Sequence, residues 1–277
     1  MTTATNETTE ERQRIREEDL PELLRLIKGA DSVELKVSIA SENQRATITG
    51  LPLDPVEAQP RQIFFFDTPD LDLNKAGVVV RARRIQGGRG DTVVKLRPVD
   101  PAHLPPEVRK SGSVNVEVDV IPGGFVCSAA MKGKTTGDQI RDAVQGGSPL
   151  RKLFTREQRE FYASRAPTGI DLDSLVTLGP TFVLKAQFTP RELNRRVVAE
   201  LWFYPDGSRI LELSTKSLPD EAFSVAVETR AYLTSHGITI GGVQQTKTRA
   251  ALDFFTGELR QETGRTKASA RAAAASG

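Results

Sequence analysis

Cysteine occurs once in this 277-residue chain, at Cys127, which excludes an internal disulfide framework and a Cys-rich zinc site. Histidine occurs twice, at His103 and His236, too sparsely for His-based metal or triad chemistry. No run of about 18 apolar residues is present, so a conventional membrane-spanning helix is not expected. Nor does either sign of charge dominate: 38 Lys and Arg face 36 Asp and Glu, a net charge of +2. Nothing global therefore points to nucleic acid or to an anionic membrane, and any polyanion site must come from local segregation of charge. The opening stretch, Met1 to Arg16, is polar and lacks the apolar core of a signal peptide, which makes a cytoplasmic protein the plain expectation. What remains is an ordinary globular composition, 38% hydrophobic and 27% charged, long enough for one large β domain or two small ones.

Residues 1–18 are rich in Thr, Glu and Arg and are expected to be disordered. Asp19 reads as a helix N-cap with Glu22 as capping-box partner, followed by a Leu20, Leu23, Leu24, Ile27 stripe and a stop at Gly29. Alternation predicts strands at Ser32–Ala40, Gln62–Phe66, Val78–Ile85, Thr92–Arg97 and Ser113–Ile121. Further strands are predicted at Thr181–Phe188, Arg195–Tyr204, Arg209–Thr215 and Phe223–Thr229. Residues 123–165 are set apart as an insertion, helical from 138 on, where Pro149 suits a helix start and Thr155 with Gln158 suits a capping box. Helices are predicted at Arg230–Ser235 and Thr246–Phe255, and residues 257–277 as a disordered tail. Residues 19–256 then form a single α+β domain.

The strands carry an unusual pattern of charge. Arg81 and Arg83 alternate with Val80 and Ala82; Lys95 and Arg97 alternate with Val94 and Leu96 beyond the turn at Gly87, Gly88 and Gly90. Alternate side chains of a strand share a face, so the cations fall on one side and the apolar residues on the other. Glu34 with Lys36, Glu117 with Asp119, and Lys185, Arg196, Glu200, Glu212 and Glu228 extend the series. Carboxylates suit hard cations such as Mg2+ or Mn2+, while Arg and Lys match phosphate oxygens. Either set alone would be expensive inside a barrel; with metal and a polyphosphate between them they neutralise one another. Two features read as structural. Asp67-Thr68-Pro69 suits a turn closed by an Asx-type hydrogen bond better than a metal site for Asp67, Asp70 and Asp72, and Trp202 suits outer core packing.

At these residues the chain resembles the CYTH family, the triphosphate tunnel metalloenzymes. Ser32-Val33-Glu34-Leu35-Lys36 stands where the family has Glu-x-Glu-x-Lys. Phe66-Asp67-Thr68-Pro69 through Gly77 to Arg81-Ala82-Arg83 is similar to its second segment, and Val93 to Arg97 to its next strand. Val225 to Glu228 through Gly237 to Lys247 resembles the closing Glu-x-Glu strand, helix and Lys. The resemblance implies an eight-stranded antiparallel β-barrel tunnel with flanking helices. It further implies a Mg2+- or Mn2+-dependent hydrolase that cleaves a phosphoanhydride of a triphosphate or inorganic polyphosphate. Carried over by position, Lys36, Arg81, Arg83, Lys95, Arg97, Lys185, Arg196 and Lys247 hold phosphates. Glu34, Glu117, Asp119, Glu212 and Glu228 hold metal, with Glu228, Glu34 and Glu212 serving catalysis. Ser32 and Ala226 depart from the pattern, each standing where a carboxylate is usual. Asp31 cannot replace the first, because a one-residue shift points a strand side chain to the other face. Two lost carboxylates weaken metal binding more than phosphate binding, which keeps open a non-catalytic polyphosphate or nucleotide sensor. Adenylate cyclisation in the same tunnel is a further alternative. The partner is expected to be a small triphosphate or polyphosphate rather than a membrane or nucleic acid, with a homodimer left open.

Overall fold

A computed structural model describes residues 15–110, 112–238 and 247–259. Its strands are β1 (Ser32–Ile39), β2 (Gln59–Asp67), β3 (Val78–Ile85), β4 (Arg89–Leu96), β5 (Val114–Ile121), β6 (Gly124–Thr136), β7 (Val176–Phe188), β8 (Val197–Phe203) and β9 (Arg209–Ser217). Its helices are α1 (Leu20–Gly29), α2 (Gln44–Gly50), α3 (Asp72–Lys75), α4 (Pro106–Lys110), α5 (Gly137–Val144), α6 (Arg156–Ala163) and α7 (Ala222–Ser235), with α8 at 247–259. The strands form a closed barrel in the order β1-β5-β6-β4-β3-β2-β7-β8-β9. The fold is thus α+β as expected, but with nine strands and a parallel β1/β5 pair instead of eight antiparallel ones.

Two elements also differ from their sequence expectation. The start of the expected insertion is β6, which turns back on β5 through Gly123 at φ 80° and pairs Glu117 with Ser128 and Val118 with Cys127. Helices follow from Gly137, as the later part of that stretch suggested. The expected strand Phe223–Thr229 is instead the first half of α7. Phe223, Val225 and Val227 alternate, which imitates a strand; burial follows the helical period through Ala222, Val225, Tyr232 and Leu233. Phe223 and Val227 are left 50% and 70% exposed.

Among the described residues the chain divides into two compact units. The first comprises 15–61, 95–132 and 182–238; the second comprises 62–94, 133–181 and 247–259. In the first unit, one face of β1, β8 and β9 is apolar. Val37, Ile39, Val197, Ala199, Leu211 and Leu213 on that face pack with Tyr232, Leu233 and Ile238. Helix α1 packs against β5, burying Leu23, Leu26 and Ile27, while Leu20 and Leu24 of the expected stripe stay exposed. The expected capping box is absent: Asp19 bonds Arg16 and Glu22 bonds Arg25, so neither carboxylate reaches the helix terminus.

In the second unit the β3/β4 hairpin turns through Gly87 and Gly88, both in the left-handed region that glycine alone adopts without strain. The Thr155–Gln158 capping box is present at α6, and the fully buried Gln158 also accepts a hydrogen bond from Thr92 Oγ1 on β4 at 3.0 Å. Asp67 does close a turn. Its Oδ1 accepts from the Thr68 and Leu73 amides at 2.7 and 2.9 Å, and its Oδ2 from the Asn74 amide at 3.0 Å. The carboxylate therefore satisfies amide donors that open α3, and burial raises its pKa in spite of those bonds. Asp67→Ala is expected to cost about 2–3 kcal/mol, since a charged acceptor is lost and buried amides are stranded; urea midpoints of the two proteins measure it. Of the expected disordered ends, 1–14 and 260–277 lie outside the described residues. Glu17–Asp19 form a 3-10 turn, and α8 runs on through 257–259.

Candidate active site

The polar face of the first unit is assembled by strand register. In the parallel β1/β5 pair, Ser32 stands beside Glu117 and Glu34 beside Asp119. On the other edge of β1, antiparallel β9 sets Lys216 opposite Glu34, Ser214 opposite Lys36 and Glu212 opposite Ser38. β8 continues the layer with Glu200 opposite Glu212, and β7 with Lys185 opposite Glu200. Residues paired across a sheet point to the same side, so two-residue alternation in five strands converges on one face.

Glu34, Glu117 and Asp119 each bring a carboxylate oxygen to within 4.8 Å of the other two. Four cations surround them. Lys36 Nζ lies 2.7 Å from Asp119 Oδ1 and 3.0 Å from Glu34 Oε2. Lys95 Nζ lies 3.3 Å and Arg97 Nη2 3.9 Å from Asp119 Oδ2. Lys216 Nζ pairs with Glu117 Oε2, which also accepts from Ser32 Oγ at 3.3 Å. The side chain of Asp119 is only 2% exposed, against 16% for Lys36 and 28% for Arg97, so the anion is the buried hub and the cations reach toward solvent.

The electrostatics follow from that arrangement. Burial opposes ionisation of Asp119, but Lys36 and Lys95 outweigh it and hold its carboxyl well below the usual carboxylate range. Desolvation likewise opposes ionisation of the partly buried Glu34, but Lys36 and Lys216 outweigh it and hold its carboxyl down. Glu117 goes the other way: burial and the neighbouring Glu34 charge raise it despite Lys216. Burial works against a charged Lys36, yet Asp119 and Glu34 prevail and raise its pKa. Lys95 has less anionic support, and burial lowers it. For Asp119 and Glu34, a folded-state pKa below the unfolded one means stability that is fully present above about pH 4 and lost as pH falls through the lowered values. The protein is therefore expected to lose stability on acidification below about pH 4, and Asp119→Asn to lose less over the same window; urea midpoints from pH 6 to pH 3 read both.

The remaining expected residues fall into several groups. Glu212 is buried on the same face of β9, and its charge reaches Lys36. Lys185 Nζ lies 3.8 Å from Glu200 Oε1, and Trp202 Nε1 donates to Glu200 Oε2 at 3.3 Å. Trp202 is thus on the charged face with Glu200, two residues along the same strand, and not in the outer core as its aromatic neighbours suggested. Arg81 and Arg83 lie on β3 in the second unit, where Arg83 Nε donates to Asp91 Oδ2 at 3.0 Å. Arg196 precedes β8 and is exposed, and Lys247 lies on α8. Glu228 is exposed on α7: the strand expected to point it inward is a helix, which removes the ground for its expected metal and catalytic roles. Asp31 keeps to the other side of its strand pair, its Oδ2 accepting from the Val116 amide at 2.7 Å. Lys216, by sequence an extra candidate phosphate contact whose facing was open, joins the cluster through Glu117, whereas Asp91 was not among the expected residues. Lys216 was signalled by its even spacing from Glu212; Asp91, outside the expected strand, carried no signal.

Neither a family model nor a curated protein sequence matches the chain. Solved structures do. A proposed adenylate cyclase from Bacillus halodurans superposes with a TM-score of 0.55 at 14% identity, over 79% of this chain and 98% of that one. A proposed adenylyl cyclase from Hippeastrum, described as having a dominant triphosphatase activity, superposes with a TM-score of 0.56 at 16% identity, over 79% of this chain and 93% of that one. The chain has a CYTH-like fold.

Proposed function

We propose that the chain is a Mg2+- or Mn2+-dependent hydrolase that cleaves a phosphoanhydride of a small linear triphosphate or inorganic polyphosphate. The observation that carries this reading is the interleaving on one buried face of Glu34, Glu117 and Asp119 with Lys36, Lys95, Arg97 and Lys216. A donor set made only of carboxylate oxygens within 4.8 Å of one another fits a hard divalent cation and suits softer metals poorly. An ion held there by Glu34, Glu117 and Asp119 would act as a Lewis acid on a phosphoryl oxygen.

The chain's own residues supply the rest. Lys36, Lys95 and Arg97, each partly open to solvent, exchange contacts with Asp119 for contacts with phosphate oxygens and neutralise charge developing on the leaving group. Lys185, on the same face of the first unit, extends the phosphate-binding series. Glu212, on the same face but outside the three-carboxylate cluster, orients the attacking water and takes its proton. Such a site is mostly positioning and electrostatics, which is what phosphoryl transfer requires.

A binding protein without turnover is the second reading, favoured by Ser32 standing where a fourth carboxylate would complete the cluster. Product analysis from ATP with Mn2+ separates the readings. ADP or AMP with released phosphate, and no cyclic AMP, is the expected result. Cyclic AMP as main product would make the chain a cyclase, and binding without any product would make it a sensor.

A further inference from the structure

We infer that Ser32 is a positioning residue that holds Glu117 in the geometry required for metal binding; the inference rests on the metal-dependent reading above. Ser32 is the register partner of Glu117 across the parallel β1/β5 pair, and its hydroxyl donates to Glu117 Oε2 at 3.3 Å. Lys216 reaches the same oxygen from β9. Two donors on Oε2 leave Oε1 as the oxygen to turn toward Glu34 and Asp119, which are register partners two residues further along the same pair. The two donors differ in kind. The Lys216 side chain is 46% exposed, and its long stem permits many geometries. The Ser32 hydroxyl hangs one carbon from a backbone fixed in the sheet, so it constrains the Glu117 carboxylate plane far more tightly.

Position 32 therefore acts without giving a charge of its own. A carboxylate there would compete with Glu117 for Lys216 and bring a fourth negative charge to the cluster. The hydroxyl instead supports one carboxylate of a three-carboxylate site. Partners of this kind, hydrogen-bonded to a ligand and not to the ion, typically change metal affinity about 10- to 100-fold when removed.

The test is Mn2+ binding to the full-length protein, read from the free-ion electron paramagnetic resonance signal without substrate. Ser32→Ala is expected to weaken Mn2+ binding about 10-fold, and Ser32→Thr, which keeps the hydroxyl, to restore most of it. In a Glu117→Ala background, Ser32→Ala is expected to have no further effect, because the hydroxyl then has no ligand to orient. Equal Mn2+ affinity in wild type and Ser32→Ala would overturn the inference while leaving the metal site standing. So would an undiminished Ser32→Ala effect in the Glu117→Ala background, since it would show that the hydroxyl acts elsewhere. Failure of the wild type to bind Mn2+ at all would instead overturn the metal-dependent reading, and this inference with it.

Discussion

Asp119→Ala is expected to lower the unfolding free energy by about 3 kcal/mol, the largest stability effect of any single substitution in the site. The carboxylate is the shared partner of Lys36, Lys95 and Arg97, and its side chain is 2% exposed. Removing one member of a buried ion network costs about 3–5 kcal/mol because the charges left behind are uncompensated. The low end applies here, since Lys36, Lys95 and Arg97 keep 16%, 22% and 28% exposure and Lys36 retains Glu34 at 3.0 Å. Lys216→Met, which removes a half-exposed partner of Glu117, is expected to cost under about 1 kcal/mol by the same reasoning. Urea unfolding of both variants at neutral pH measures the contrast; equal losses would show that the network is not organised around Asp119.

Glu34→Gln is expected to reduce kcat/KM for tripolyphosphate by about 10²–10³, while Glu228→Ala leaves it unchanged. Glu34 contributes an oxygen to the three-carboxylate cluster and shares Lys36 with Asp119, so its amide analogue loses both a charge and a ligand. Glu228 was joined to the cluster by its likeness to a closing Glu-x-Glu strand, and it lies exposed on α7. The pair of variants separates what the fold assembles from what the motif alone suggested. Steady-state phosphate release gives the ratio, and a strong Glu228→Ala defect with an active Glu34→Gln would reverse the assignment.

The residues legible in the sequence were those whose facing depends only on two-residue alternation. Glu34, Lys36, Lys95, Arg97, Glu117 and Asp119 all project to one polar face because Val33, Leu35, Val94, Leu96, Val116 and Val118 occupy the positions between. Which of them meet was not legible. Alternation fixes the face of a strand but says nothing of its neighbour, and the parallel pairing of β1 with β5 joins residues 85 positions apart, as at Ser32 and Glu117. The same gap hid the Lys216 contact with Glu117, 99 positions away. The strand reading at Glu228 failed for a different reason. Phe223, Val225 and Val227 alternate as in a strand, and the apolar residues of the segment show no clear helical stripe to oppose that reading. The helix is seen only in the structure, which buries Ala222, Val225, Tyr232 and Leu233. At Gly124–Thr136 the small residues Cys127, Ser128, Ala129 and Ala130 gave strand propensity little to act on, yet the Gly123 turn placed them against β5.

Phosphate release from tripolyphosphate by the wild-type protein, in Mg2+, in Mn2+ and in EDTA, tests the central claim most directly. Release in either metal that stops in EDTA is the predicted result. No release in any of the three, with the protein folded and tripolyphosphate shown to bind, would contradict hydrolysis and leave the charged face as a binding site.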